Sequence, residues 1–94
     1  METLDDQQIE AQLGGLSGWV RDGRTITREW KLADFAAAIA LVDSVAGLAE
    51  AANHHPDILV HGWNRVRLTL STHSAGGLTA ADFALAERID ALLR

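Results

Sequence analysis

The sequence has no cysteine, few basic residues and no long apolar run, and each shortage excludes a class of site or partner. Without cysteine, neither a disulfide framework nor a thiolate metal site can form. Thirteen acidic residues against eight basic ones give a net charge of −5. This balance, without any basic cluster, disfavours a nucleic-acid backbone or an anionic membrane surface as the main partner.

No apolar run reaches the length of a membrane-spanning helix. The longest, residues 35–42, is far short of the roughly 20 residues that a span needs. Residues 1–10 are acidic, whereas a secretion signal starts basic and continues apolar. We therefore expect a cytoplasmic protein that has neither a membrane nor a nucleic acid as its partner.

The length of 94 residues is enough for one domain, which we expect to cover residues 1–94. A domain this small buries a modest fraction of its surface. Apolar residues nevertheless make up 48% of the chain, which is high for a small monomer. Association of identical chains would cover the surplus, so composition favours a homo-oligomer.

The first half of the chain predicts a helix, a hairpin and a longer helix. Thr3 is expected to cap a helix over residues 4–13, and Asp-Gly at residues 22–23 predicts a hairpin between strands over 19–21 and 25–32. Apolar residues three to four positions apart predict the longest helix over 34–53. Its expected core stripe is Phe35, Ile39, Val42, Val45 or Ala46, and Ala49.

The second half predicts another hairpin and a last helix. Strands are expected over residues 58–61 and 63–71, and Thr79 is expected to cap a last helix. The apolar stripe of that helix is expected to be Phe83, Ala86, Ile89 or Leu92, and Leu93. The resulting order αββαββα indicates an α+β two-layer sandwich, with a four-stranded, mostly antiparallel sheet and helices on one face. Arg28 shares the inward face of the first hairpin with Ile26 and Trp30, and the sequence names no partner for its charge.

All four histidines lie between Glu50 and Asp82. His54 and His55 are adjacent, and His73 follows a run, residues 66–70, that alternates like a strand. Because strands rise about 3.3 Å per residue, a hairpin over this interval can return its end to its start. Imidazole gives and takes protons near neutral pH. We therefore expect His54, His55 and His73 to share one pocket, and His61 to be an exposed residue outside it.

Three ordered clusters of residues resemble the pterin-4a-carbinolamine dehydratase family. The clusters are HHPD at residues 54–57, WNRV at 63–66 and STH at 71–73, followed by GLT at 77–79 and Asp82. The resemblance continues more weakly upstream to about Leu13. The chain departs from the pattern at Gly62, which reads as an insertion, and at Trp63, where many relatives have tyrosine.

The resemblance implies a hydro-lyase that removes water from 4a-hydroxytetrahydrobiopterin and gives quinonoid dihydropterin, with no cofactor and no metal. It implies that His54, His55 and His73 are the catalytic residues. One histidine would protonate the departing 4a-hydroxyl while another accepts the proton from N5, and the sequence leaves the assignment open. It also implies a homodimer or a homotetramer.

Three further residues are candidates for binding or supporting the site. Asp82 occupies the third position of the last helix, where an acidic residue favours the helix start, and the family places it near the site, where it can orient His73. Glu50 lies one helical turn before His54, where it either supports the pair, contacts the pterin or is simply solvated. Trp63 flanks the histidine hairpin and is the best candidate for an aromatic wall, although a tryptophan in so small a domain is more often core.

Two other classes of function stay open at this point. Relatives in the family act as binding proteins, one as a dimerisation cofactor of a transcription factor and others in assembling an enzyme complex. Such a role needs a surface and no histidines, so the presence of all three favours the enzyme. A pterin-binding regulator without turnover would use the same pocket. A zinc site built from the imidazoles is less favoured, because tight zinc sites usually add cysteine or carboxylate ligands.

Overall fold

The computed structural model describes residues 2–93 and confirms the predicted order of elements. Helix α1 spans Asp6–Gly14, strands β1 and β2 span Val20–Asp22 and Thr25–Lys31, and helix α2 spans Phe35–Ala52. Strands β3 and β4 span Asp57–His61 and Arg65–Leu70, a short 3₁₀ turn covers His73–Ala75, and helix α3 spans Ala80–Ala91.

The four strands form one antiparallel sheet in the order β1-β2-β4-β3. Alternation in β4 decides which face is covered. Val66, Leu68 and Leu70 are fully buried in the core shared with the helices, while Arg65 and Arg67 are exposed on the other face. The predicted α+β two-layer sandwich is therefore confirmed.

Helix α2 turns a different face to the core than the sequence predicts. Its buried residues are Ala38, Leu41, Val45 and Ala49. The predicted stripe is wrong at Phe35 and Ile39, which are 55% and 37% exposed. The helix is apolar on nearly every side, so periodicity could not select the face. By length and composition alone α2 could also cross a membrane, as core helices of globular domains often could.

The first and last helices differ from prediction at one end each. Asp5, rather than Thr3, caps α1, because its carboxylate accepts the Gln8 N–H at 2.8 Å and the Gln8 side chain accepts the Asp5 N–H at 2.9 Å. Leu4 is held outside the helix by a bond from its N–H to the Leu78 carbonyl. Thr79 caps α3 as predicted. The helix ends at Ala91, so the two leucines that follow it are exposed rather than part of the stripe.

Arg28 reaches a carboxylate that the sequence did not identify. Its Nη1 lies 2.9 Å from Oδ1 of Asp90, which also accepts the indole N–H of Trp19 at 2.9 Å. The guanidinium donates to the Ser17 carbonyl and stacks 4.8 Å from the ring centre of Trp30. Trp19 and Trp30 meet edge to face at 5.8 Å. These contacts explain how an arginine can lie on the covered face of the sheet.

Candidate active site

Helix α2 ends in a left-handed residue that directs the chain towards β3. Asn53 has φ 49° and ψ 43°, a conformation that asparagine adopts more readily than most residues with a Cβ. The N–H of His54 still bonds the Ala49 carbonyl at 3.0 Å, and Pro56 cannot continue the helix. The histidine pair therefore lies in a fixed helix-to-strand turn, as predicted.

The second hairpin brings the chain back to this turn. Asp57 at the start of β3 pairs with Thr69 near the end of β4. Residues that precede β3 consequently lie beside those that follow β4. There Thr72 and Gly77 bond through their backbones and close the loop that carries His73. The predicted return of the hairpin to its start is confirmed.

His54 contacts a buried carboxylate. Its Nε2 lies 2.5 Å from Oδ1 of Asp82, and the two side chains are 14% and 0% exposed. The other oxygen, Oδ2, accepts the Thr72 hydroxyl at 2.8 Å and the Thr79 backbone N–H at 2.9 Å. A carboxylate can be buried only when its lone pairs are used in this way. Asp82 thus completes the capping box of α3 and holds the His54 ring at the same time.

The prediction that Asp82 orients His73 is wrong, because Asp82 pairs with His54. The alternation of β4 continues past its end at Leu70, since Thr72 is buried and His73 is exposed, so His73 lies on the side away from the buried Asp82. The chain turns into the 3₁₀ segment, where His73 is exposed, and the preceding Thr72 reaches Asp82 instead. Sequence reasoning missed Thr72, although its place in the STH cluster was a signal.

His55 faces away from His54, as expected for neighbours in an extended turn. Its ring is 58% exposed and its Nε2 lies 3.2 Å from Oε2 of Glu50, itself 79% exposed. Glu50 therefore contacts the histidine pair through His55. The two histidines have different surroundings, one held by a buried carboxylate and the other close to solvent.

Trp63 does not flank the histidines within this chain. It occupies the turn between β3 and β4 and is 62% exposed, while the histidine pair lies at the other end of β3. A five-residue strand such as β3 separates the two by about 13 Å or more. The prediction that Trp63 walls the pocket is wrong for a single protomer. Trp19 and Trp30 belong to the core cluster around Arg28.

A groove opens beside His54 between the end of α2 and the start of α3. Its volume is about 350 Å³, within the range of small-molecule sites. It is lined mainly by small apolar residues, with two groups that can carry charge; the lining is Ala51, Ala52, His54, Ala81, Ala84, Leu85 and Arg88. A flat, largely apolar ligand placed here would contact the His54 ring.

His61 lies outside the site, as predicted, but it is partly buried rather than exposed. It belongs to the uncovered face of the sheet, where its Nε2 lies 2.6 Å from Oε1 of Glu29. Within residues 2–93, no three histidine, aspartate or glutamate side chains are grouped to hold a metal ion.

The protein is a two-layer α+β domain that holds a histidine pair in a helix-to-strand turn, with a buried carboxylate against one ring. Comparisons with known proteins identify its family. The profile described as Pterin 4 alpha carbinolamine dehydratase matches residues 2–92. A protein of Roseiflexus castenholzii and one of Nocardia farcinica, both provisionally named pterin-4-alpha-carbinolamine dehydratase, are 53% and 54% identical over 90 and 93 residues. These matches cover 96% and 99% of this chain, and 96% and 97% of the relatives. The chain belongs to the pterin-4-alpha-carbinolamine dehydratase family, as the resemblance predicted.

Two solved structures share the fold. A transcriptional coactivator/pterin dehydratase from Brucella melitensis superposes with a TM-score of 0.90 at 36% identity, over 97% of this chain and 98% of that one. A pterin dehydratase-like protein, described as a RuBisCO assembly factor in the alpha-carboxysome, has a TM-score of 0.67 at 29% identity over 81% and 89% of the two chains. One fold thus carries two kinds of described role.

Proposed function

We propose that the protein is a 4a-hydroxytetrahydrobiopterin dehydratase, in which histidines supply general acid and base catalysis. The observation that carries this proposal is the His54 ring, held at 2.5 Å by a fully buried Asp82 and bordering a groove. A solvated surface histidine needs no such support. Membership of the family supplies the substrate class.

The reaction needs one proton acceptor and one proton donor. The C4a–O bond breaks, the N5 electron pair forms a C4a=N5 double bond, and N5 gives up its proton to a base. The departing hydroxyl takes a proton from an acid and leaves as water, so protons balance and no electrons are transferred. His54, His55 and His73 are the proposed catalytic residues, and no cofactor is required by this balance.

The supporting residues act through the histidines in this proposal. Asp82 holds His54 by a direct contact, and Glu50 lies beside His55. We place Trp63 outside the site of its own protomer. We further propose that the enzyme acts in the cytoplasm as a homodimer or homotetramer, and that its partner is the small pterin rather than a nucleic acid or a membrane.

A second candidate is a non-catalytic binding protein on the same fold. The observation that favours it is the likeness to the RuBisCO assembly factor, together with exposed apolar side chains on α2 and β3. A binding role would depend on those surfaces and would be indifferent to the histidines. The two candidates therefore separate by their response to substitution of His54 and His55.

The test is the rate of dehydration of 4a-hydroxytetrahydrobiopterin, followed by ultraviolet absorbance against the spontaneous rate. We expect the wild type to accelerate the reaction. We expect the catalysed rate of the His54→Ala, His55→Ala double variant to be lower by about 100-fold or more, the scale of general acid–base catalysis. His61→Ala is the matched control, because it removes a histidine outside the site. Circular dichroism must show that each variant is folded. No acceleration by folded wild type would refute the enzyme and favour the binding protein.

A further inference from the structure

A buried chain of hydrogen bonds runs from α3 to His54. The hydroxyls of Thr79 and Thr72 lie 2.8 Å apart, the Thr72 hydroxyl lies 2.8 Å from Oδ2 of Asp82, and Oδ1 of Asp82 lies 2.5 Å from Nε2 of His54. The three residues behind His54 are 7% exposed or less. No bulk solvent can therefore replace a missing partner in this chain.

The hydrogens in this chain can point in only one direction. As a carboxylate that takes the Thr79 N–H at Oδ2, Asp82 only accepts, and Thr72 gives it the single hydrogen of its hydroxyl. The contact between the threonines is then donated by Thr79, whose oxygen in turn accepts the Ala81 N–H at 3.2 Å. Oδ1 also has no hydrogen to offer. Nε2 of His54 must consequently be the donor to Asp82.

We propose that Thr72 and Thr79 are positioning residues that, through Asp82, keep the proton of neutral His54 on Nε2 and leave Nδ1 as its proton acceptor. Donors to Oδ2 stabilise the ionised carboxylate. When such a donor is removed, the shared proton shifts from Nε2 onto Asp82, and the ring takes one proton from solvent at Nδ1, so that the pair holds one proton more and the ring stays neutral. The structural role of Thr72 is separate, because its bridge to Gly77 uses the backbone alone.

The tautomer has a chemical consequence that rests on the proposed function. A His54 ring with Nε2–H committed to Asp82 has no hydrogen left to donate to substrate. It can accept the N5 proton at Nδ1, so it acts as the base. The acid that protonates the 4a-hydroxyl is then His55 or His73.

The test reads the His54 ring nitrogens directly, by ¹⁵N NMR of histidine-labelled protein at a pH where the ring is neutral. We expect the Nε2–H form in the wild type and in Thr72→Ser, which keeps the hydroxyl. We expect Thr72→Val, similar in shape but without it, to raise the Nδ1–H fraction. Nδ1–H in the wild type, or an unchanged ring in folded Thr72→Val, would overturn the proposal.

Asp82→Asn keeps the proposal testable if Thr72→Val does not fold. Its amide oxygen can accept from Thr72 and Thr79, which turns the NH₂ group towards His54 and makes Nε2 the acceptor. We expect this variant to hold the ring in the Nδ1–H form. Retention of Nε2–H in folded Asp82→Asn would contradict the proposed direction of the chain.

The activity measurement separates positioning from failure of the proposed function. Relative to Thr72→Ser, we expect Thr72→Val to lower kcat about tenfold with KM nearly unchanged, as for loss of a hydrogen bond to a charged group. A wild type that shows the Nε2–H form but no dehydration would refute the enzyme and leave the tautomer assignment intact. Equal kcat in Thr72→Val and Thr72→Ser would refute the positioning role.

Discussion

Helix α3 carries a buried carboxylate near each end, Asp82 near its start and Asp90 near its end. The helix dipole acts on the two charges with opposite sign. The helix dipole favours Asp82 in the first turn and opposes Asp90 near the last. Asp90 is 8% exposed and depends on Trp19 and Arg28 for its hydrogen bonds. The positive charge of Arg28 is therefore needed to offset the charge of the buried Asp90.

Removing the charge of Arg28 is expected to destabilise the fold. Arg28→Met keeps much of the packing but leaves Asp90 without a cation, and we expect the free energy of unfolding to fall by about 2 kcal/mol, less than for a fully buried pair because Arg28 is partly exposed. Urea unfolding followed by far-ultraviolet circular dichroism measures the change.

Arg24→Met is the matched control, since Arg24 is exposed. We expect it to change the free energy of unfolding by less than about 0.5 kcal/mol. Equal stability of the two variants would show that Asp90 does not need the Arg28 charge.

At the scale of elements, one glutamate joins three strands on the uncovered face of the sheet. Glu29 of β2 contacts His61 of β3 at 2.6 Å and Arg67 of β4 at 3.2 Å through the same oxygen. The hydrogen bond from His61, followed by the charges of His61 and Arg67, lowers the pKa of Glu29 below its ordinary value of 4.5, against the opposing effect of burial.

This lowered pKa predicts how stability depends on pH. A carboxyl group whose pKa is lower in the folded state stabilises the fold at pH values above its unfolded pKa, and the contribution is lost as pH falls from 4.5 through the folded value. We expect wild type to be more stable than Glu29→Gln at about pH 6, and the difference to shrink as Glu29 is protonated. Urea midpoints across this range measure it.

Glu10→Gln is the control for the pH series, because Glu10 is an exposed residue of α1. Its stability relative to wild type should vary little over the same range. A difference between wild type and Glu29→Gln that persists at acid pH would contradict a role for the Glu29 charge.

Local sequence patterns predicted the helices and strands. Where the structure differs from the prediction, a contact between residues distant in sequence is the cause. Asp-Gly in the first hairpin, Pro56 and the Thr79 cap act within a few residues, so the order and most boundaries could be predicted. The position of Leu4 depends on Leu78, and the partner of Arg28 lies 62 positions away. Such contacts have no signature in a local pattern.

The candidate site, too, could be predicted in part from the sequence. The hairpin that returns to the histidine turn followed from strand geometry, and the family match indicated which side chains to inspect. The choice of His54 over His73 as the partner of Asp82 depends on a contact across 28 positions, which no local pattern shows. Burial alternates from Leu70 through Thr72 to His73, so Thr72 and not His73 lies on the side of Asp82.

At the scale of the whole molecule, apolar side chains stay exposed on two surfaces. Phe35 and Ile39 lie one turn apart on α2, and Ile58 and Leu59 lie on β3, a strand at the edge of the sheet. A small domain gains stability when such surfaces are covered. Both surfaces support the proposed homo-oligomer. On α2 the two exposed side chains lie on one face, whereas neighbours in a strand such as Ile58 and Leu59 point to opposite sides.

A charge on this face of α2 is expected to dissociate the oligomer. Ile39→Glu would bury an unpaired carboxylate against a second copy, which disfavours association. We expect wild type to sediment as a dimer or tetramer and Ile39→Glu as a smaller species, in analytical ultracentrifugation at matched concentration.

Ser44→Glu adds the same charge to an exposed position that lies about 140° around α2 from Ile39. We expect it to leave the sedimentation of the protein unchanged. A monomeric wild type, or an Ile39→Glu variant that sediments like wild type, would show that this face of α2 is not the interface.

The three tryptophans give the molecule two separate optical signals. Trp19 is 7% exposed and its ring meets that of Trp30 edge to face at 5.8 Å, so these two indoles couple in the near ultraviolet and report on the packed core. Trp63 is 62% exposed at the tip of the second hairpin, where a dissolved quencher reaches its fluorescence. Trp63→Phe would silence the outer chromophore and leave an emission that comes from the interior alone.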